Sequence, residues 1–499
     1  MLPLIFLLTL LSSSSSWTVL IANTFGGGSH QLVSSYLANL LAEEGHHVTY
    51  LSPNIPSSLH PAVVKLELPG VAAAINAVLK ASTGTKKGET PYTWGQVFGS
   101  LDTLFSSCEM FYEEPNVQAL MKTNTKKFDL FITFVMFDPC GLSLAHYLGI
   151  ENTVLHSPGP IVFPHHVSLL GLPIYASSHR LDALSLADPA PLRASMMARA
   201  KQLFKTRFTS LFQTFYTRYY VEPAIFKHVP NYPGYTKIYE SVKMIFMHYH
   251  PHPQVDQPHP LGPGVVNLGG TLCKTGYNKD DLTPELLEFI ESADQGFIFI
   301  SFGSLVPTLS ADEEKMWISV FSRLPYNVIW KLSGHTEALP ANVRTYKWLP
   351  QMALMQHPRM KLFITHGGYG SKIEAFCSAV PMVIVPRFAL DQFYNAKHYK
   401  EIGVAENVMD AVNANPDDVH GVIVKAIGEY GGVMKEIRRQ VLSTRVTDQQ
   451  VLGYLDMAVS GHKMLPGYQL WWEYFYLDII LIPVAVVYLV KFLVQKLRG

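Results

Sequence analysis

The chain has 499 residues, room for roughly two to four domains with ample core. Its 39 Lys and Arg balance its 39 Asp and Glu, so no charge field draws it to nucleic acid or other acidic polymers. Hydrophobic residues make up 48% and charged residues 16%, and part of that apolar excess sits at the two ends.

Met1–Leu11 is an apolar run followed by serines to Ser16, the pattern of a secretory signal peptide without a basic leading region. A buried first strand is the alternative, but Trp17–Thr18 already begins one. Thr18–Asn23 (TVLIAN) reads as that strand and Thr24–Ser29 (TFGGGS) as a glycine loop. From His30 to Glu44, residues Leu32, Tyr36, Leu37, Leu40 and Leu41 share one helical face. Gly45 stops the helix and Val48–Leu51 is the next strand, completing a βαβ unit. Gln31 stands where the dinucleotide fingerprint needs its last glycine, which excludes NAD. His30 lies at the mouth of the loop behind Ser29, a good N-cap. The helix dipole there favours a neutral imidazole, suited to a base; a structural histidine is the alternative.

Ala81–Tyr92 reads as a polar loop and Trp94–Tyr112 as an aromatic core helix. Phe128–Phe134 (FDLFITF) is a buried strand, with Asp138 shortly after it. Leu192–Tyr220 is helical with interspersed basic residues, and Met244–Met247 is a strand. The tract His248-Tyr-His-Pro-His-Pro…His259 reads as a proline-stiffened loop rather than a metal site, since prolines break the ligand spacing. No resident metal or cofactor is expected. Gly269 to about Asp294 is a polar linker, after which Gly296–Ile300 restarts a buried strand ending in Ser301-Phe-Gly-Ser304. Asn327–Lys331 and Val404–Val408 are further strands. Asn395–Glu401, Pro416–Tyr430 and Val433–Val441 are helices, the last expected to return to the first domain. Cys108, Cys140, Cys273 and Cys377 fit no zinc spacing, and their pairing is not readable.

The most informative stretch runs from Trp348 to Gln392. Lys361–Thr365 (KLFIT) is a strand, His366-Gly-Gly-Tyr-Gly370 a glycine turn, Ser371–Ser378 a helix and Met382–Val385 a parallel strand. His366 and Ser371 therefore stand at a strand's carboxyl end beside a helix N-terminus, an anion site. Ser371–Glu374 also fits a capping box, which needs no ligand.

W-L-P-Q, then H-G-G-Y-G-S-x-x-E, then P-x-F-x-x-D-Q resembles the donor signature of the UDP-glycosyltransferase/UDP-glucuronosyltransferase superfamily. The resemblance implies an α/β GT-B fold, two Rossmann-like domains with a cleft between them. It implies that Trp348 and Gln351 hold uracil and that Ser304, His366, Gly370 and Ser371 meet the diphosphate. Glu374 would take the ribose, and Asp391 and Gln392 the sugar. G-S-H after the first strand matches the family's catalytic base, His30. The acid that orients it falls on Phe134 here; Asp138 is the nearest substitute. Gly370 stands where many relatives carry Asn, and the run before Asp391 is one residue longer than usual. Relatives using glucuronate tend to carry an arginine near His250, where this chain has histidines, which weighs against that donor.

The expected organisation is a signal peptide over 1–16, an acceptor-binding domain over 17–275, a UDP-sugar domain over 276–460 and a membrane-proximal segment over 461–499. Ile479–Val494 is about 16 residues, short of the roughly 20 that span a bilayer, but tilt and the snorkelling of Lys491 absorb the difference. Trp471, Trp472, Tyr474 and Tyr476 suit an interfacial belt, and Lys491, Lys496 and Arg498 predict a cytosolic tail. An interfacial or buried helix is the alternative. The expected protein is a single-pass endoplasmic reticulum enzyme with its body in the lumen. It moves glucose or glucuronate to a lipophilic hydroxyl; a homo-oligomer is left open. A non-catalytic binding relative is the competing reading, raised by Phe134 and Gly370.

Overall fold

The computed structural model describes residues 16–24, 28–82, 107–123, 127–135, 138–159, 210–248, 262–273, 277–303, 309–332, 338–387, 390–465 and 486–491, with a few positions between. Seven strands form the first sheet: β1 (Thr18–Ala22), β2 (His47–Ser52), β3 (Val64–Glu67), β4 (Leu130–Phe134), β5 (Thr153–Ser157), β6 (Val242–Met247) and β7 (Val265–Asn267). Six form the second: β8 (Phe297–Ser301), β9 (Asn327–Lys331), β10 (Val343–Tyr346), β11 (Met360–Thr365), β12 (Met382–Ile384) and β13 (Ala405–Asn407). The orders are β3-β2-β1-β4-β5-β6-β7 and β10-β9-β8-β11-β12-β13, and the strand pairs are parallel. Each repeats the doubly wound order, whose switch point lies between β1 and β4 in one sheet and between β8 and β11 in the other.

The apolar runs have a simple cause. A parallel sheet covered by helices on both faces buries every residue of its central strands. Val19 and Ile21 face one core layer of the first sheet, and Leu20 and Ala22 the other. In the second sheet Phe297 and Phe299 face one layer, Ile298 and Ile300 the opposite one. Truncating any of the larger ones to Ala costs about 2–5 kcal/mol.

Several expectations need correction. The segment after Gly270 is not merely a polar linker, because Pro284–Glu291 is a helix capped by Thr283 that buries Leu286, Leu287, Phe289 and Ile290. The helix Gly431–Ser443 stays on the second sheet's core. The helix that returns is the next one, Asp448–Val459, whose Val451, Leu455 and Ala458 pack on the first sheet. Two disulfides join Cys108 to Cys140 and Cys273 to Cys377. Residues 1–15 and most of the proposed anchor lie outside the described residues. Among the described residues no helix is long and apolar enough to cross a membrane.

Candidate active site

The donor half is built at the switch point of the second sheet. β8 ends at Ser301 and leads into Phe302-Gly303, and β11 ends at Thr365 and leads into the turn His366-Gly367-Gly368. The His366 ring lies between two glycines. A Cβ on Gly303 would come within 2.9 Å of its Cε1, and one on Gly368 would overlap Nε2. Gly367 has φ +81°, which an L side chain resists. Asn395 Nδ2 donates to the Gly367 carbonyl at 2.7 Å and so pins the turn. Burial holds the His366 pKa down at about 4, helped by the Arg387 and Lys331 charges and opposed by the Ser301 backbone. The ring is therefore neutral at pH 7.

The donor helix runs from Tyr369 to Ser378 with Gly368 as N-cap, two residues earlier than expected. Ser371 thus sits inside the first turn and does not cap it, so the alternative capping-box reading fails. Gly370 is buried in the same turn and Ser371 half-buried. One turn on, Glu374 accepts a hydrogen bond from Gln351 Nε2. Burial pushes the Glu374 pKa up to about 7, against the pull of Gln351 and Lys331. Lys331, which closes the apolar strand β9, acts electrostatically on both Glu374 and His366. No motif marks Lys331 in the sequence, where the one visible signal is a lysine ending an apolar strand.

Trp348 is 71% exposed just before the helix Gln351–Gln356, so its indole face is open to a ligand. Asp391 and Gln392 begin the helix Leu390–Glu401. Burial raises the Asp391 pKa to about 6, while Lys372 and the backbone N–H groups of Asp391 and Gln392 oppose it. Gln392 is buried, and its Oε1 accepts from the Arg387 N–H at 2.8 Å. Ser304 lies outside the described residues.

On the first domain, His30 sits in a 3-10 turn, Gly28–Gln31, ahead of the α-helix Leu32–Glu43. The N-cap of that helix is Gln31, so the expected cap at Ser29 is corrected. The His30 ring meets the edge of Phe134 at 5.8 Å. Phe134 in turn stacks on His156 at 5.5 Å. His156 is buried, with its pKa held down at about 3, and bonds Asn23 Oδ1 at 3.0 Å. Asn23 donates onward to Ser34 and Tyr50. This polar layer behind His30 carried no motif and was missed. Asp138 is buried in the first turn of the helix Asp138–Tyr147. Its carboxylate bonds His166 Nε2 at 2.9 Å. The turn holding His30 packs against the donor helix, so the two halves share one cleft.

A paired doubly wound fold with a nucleotide cradle facing a histidine defines a GT-B glycosyltransferase. The profile of the family described as "UDP-glucoronosyl and UDP-glucosyl transferase" matches residues 26–498, and the chain belongs to that family. It is a UDP-glycosyltransferase. It is 26% identical over 507 residues to human UDP-glucuronosyltransferase 2B15, covering 94% of this chain and 90% of that protein. A UDP-glucuronosyltransferase of Pleuronectes platessa is 39% identical over 165 residues, 32% of this chain and 35% of that protein. UDP-glucosyltransferase 2 of Dactylopius coccus is 24% identical over 94% of this chain and 90% of its own. Among solved structures, the glycosyltransferase VinC in complex with DTDP superposes with TM-score 0.57 at 16% identity, covering 89% of this chain and all (100%) of that one. That likeness speaks for the fold.

Proposed function

We propose that this chain is an inverting glycosyltransferase that moves glucose or glucuronic acid from a UDP-sugar to a hydroxyl of a small lipophilic acceptor, as in detoxifying conjugation. The observation that carries the reading is the contact between the turn holding His30 and the helix holding Ser371 and Glu374. His30 takes the hydroxyl proton. The acceptor oxygen bonds the anomeric carbon from the face opposite the nucleotide. The bond from that carbon to the β-phosphate oxygen breaks, and UDP leaves with the electron pair, inverting the centre. The N-terminal turn of the donor helix and the neutral His366 meet the charge on the departing diphosphate. Trp348 and Gln351 hold the uracil, Glu374 accepts from the ribose hydroxyls, and Asp391 and Gln392 orient the sugar. Asp138, bonded to His166, is the acid proposed to support the base in place of Phe134.

The body lies in the lumen of the endoplasmic reticulum, anchored by 479–494. The two disulfides support this, since such bonds persist in oxidising compartments. UDP release from UDP-glucose and UDP-glucuronate, with phenols and sterols as acceptors, tests the activity. His30→Ala should lower turnover about 10²–10⁴-fold and leave UDP affinity unchanged. Full turnover in that variant would remove His30 from the mechanism. Protease protection of sealed microsomes tests the topology, and digestion of the body in intact vesicles would overturn it.

A further inference from the structure

Beyond its charge effect on His366, Arg387 has its guanidinium fixed on two sides. Nη1 pairs at 2.5 Å with Glu313, a buried carboxylate in the first turn of the helix Ala311–Phe321. The guanidinium carbon stands 3.8 Å over the Phe302 ring. Its backbone N–H is held by Gln392. The opposite edge differs. Nε and Nη2 are buried and have no hydrogen-bond partner among the described residues. The whole side chain is only 10% exposed.

Those two N–H groups point the same way and form the side-on fork that matches two oxygens of a carboxylate or phosphate. Buried charged donors left without an acceptor are unfavourable, and pairing with Glu313 satisfies Nη1 alone. The fork's neighbours locate it. Phe302 lies between Ser301 and Gly303, and Gly303 abuts the His366 ring. Asp391 and Gln392 follow in the same run. A fixed cation with an unused bidentate edge therefore stands where the diphosphate end of the donor site meets its sugar end.

We propose that the free edge of Arg387 binds an oxyanion of the donor, either the β-phosphate or a carboxylate on the sugar. The proposal rests on the UDP-sugar reading above. It also gives Glu313 a function: it orients the guanidinium and leaves the fork for the ligand.

Calorimetric titration of the full chain in detergent with uridine, UDP, UDP-glucose and UDP-glucuronate tests it. Arg387→Met alone strands a buried Glu313, so the double variant E313Q/R387M removes both charges. Arg387→Lys keeps the charge and loses the fork. Loss of a charged two-point contact weakens binding about ten- to a hundredfold. If the β-phosphate is the anion, UDP and both UDP-sugars weaken alike in E313Q/R387M and uridine does not. If the sugar carboxylate is the anion, UDP-glucuronate alone weakens. In both cases Arg387→Lys restores only part of the affinity. Changes below twofold for every ligand overturn the proposal. So does an equal loss for uridine, which would mark Arg387 as structural. A wild-type chain that binds none of the four overturns the donor reading itself.

Discussion

Glu374 offers the sharpest test of the donor site, because its protonation should be visible in binding. In the free protein burial holds its pKa up at about 7. In the proposed site the ribose hydroxyls would donate to the carboxylate, so the bound complex would favour the ionised form and lower that pKa. Binding therefore releases a proton below pH 7 and weakens as the pH falls. The ionised fraction is about nine-tenths at pH 8 and about one-tenth at pH 6, so affinity should drop about tenfold across that range. The ligand should be a UDP-sugar, because the terminal phosphate of UDP itself titrates near pH 6. His366, at about 4, stays neutral throughout the window. Asp391, at about 6, does not stay unchanged, so Glu374→Gln must be titrated in parallel. Asp391 contributes to both proteins, and their difference isolates Glu374. Equal pH slopes for wild type and Glu374→Gln would refute the reasoning.

Three further outcomes follow from the packing. Cys273 and Cys377 are 104 residues apart, so replacing both by Ser removes a closure worth roughly 4–5 kcal/mol in the chain-entropy account. Thermal melts should show it, and a loss under about 1 kcal/mol would contradict that account. Gly368→Ala should displace the His366 ring and cut UDP affinity with little change in melting temperature, since the new Cβ overlaps Nε2. Unchanged affinity would mean that the ring is not part of the cradle. Burial raises the pKa of Glu406, but bonds from Lys425, Lys400 and Tyr430 outweigh it and hold it down at about 2. Its stabilisation is present above the ordinary carboxylate pKa and fades as pH falls from about 4.5 toward 2. Glu406→Gln should flatten that acid limb in melting curves, and an unchanged limb would exclude it as a source.

The strands were legible because a sheet covered on both faces leaves an unbroken apolar run, as in Thr18–Asn23 and Gly296–Ile300. Most of the candidate donor residues were legible because they crowd into one stretch of about forty-five positions around a glycine turn, whereas Lys331 stands outside it. The helices overlooked had signals: Ser310 with three acids in the next turn, and Thr447 with Gln450 in a capping box. The destination of Asp448–Val459 had none, because an amphipathic face does not say which sheet covers it. Cysteine pairing was equally closed, since four thiols allow three connectivities. Around His30 the motif pointed to a candidate base but not to its surroundings. Phe134, His156 and Asn23 come from three strands or strand ends, and only the register of β1, β4 and β5 brings them together.

That dependence on register extends to the junction between the halves. The chain passes from the first sheet to the second through Leu268–Cys273 and returns through Thr444–Asp448. The two passages are bonded to each other: Thr271 Oγ1 donates to the Val446 carbonyl at 2.8 Å and accepts from the Val446 N–H at 3.1 Å. Gly270 permits this approach, since a Cβ there would overlap the Val441 carbonyl. The outgoing passage is also held by His248, bonded at 2.9 Å to the Gly269 carbonyl, and through Cys273 by the end of the donor helix. On the return, Asp448 accepts from Tyr36 on the His30 side at 2.6 Å. The two crossings therefore act as one connection, tied at one end to the helix that carries Glu374 and at the other to the helix that follows His30. A change that loosens Cys273–Cys377 or Thr271–Val446 thus reaches the geometry between His30 and Glu374 without touching either residue.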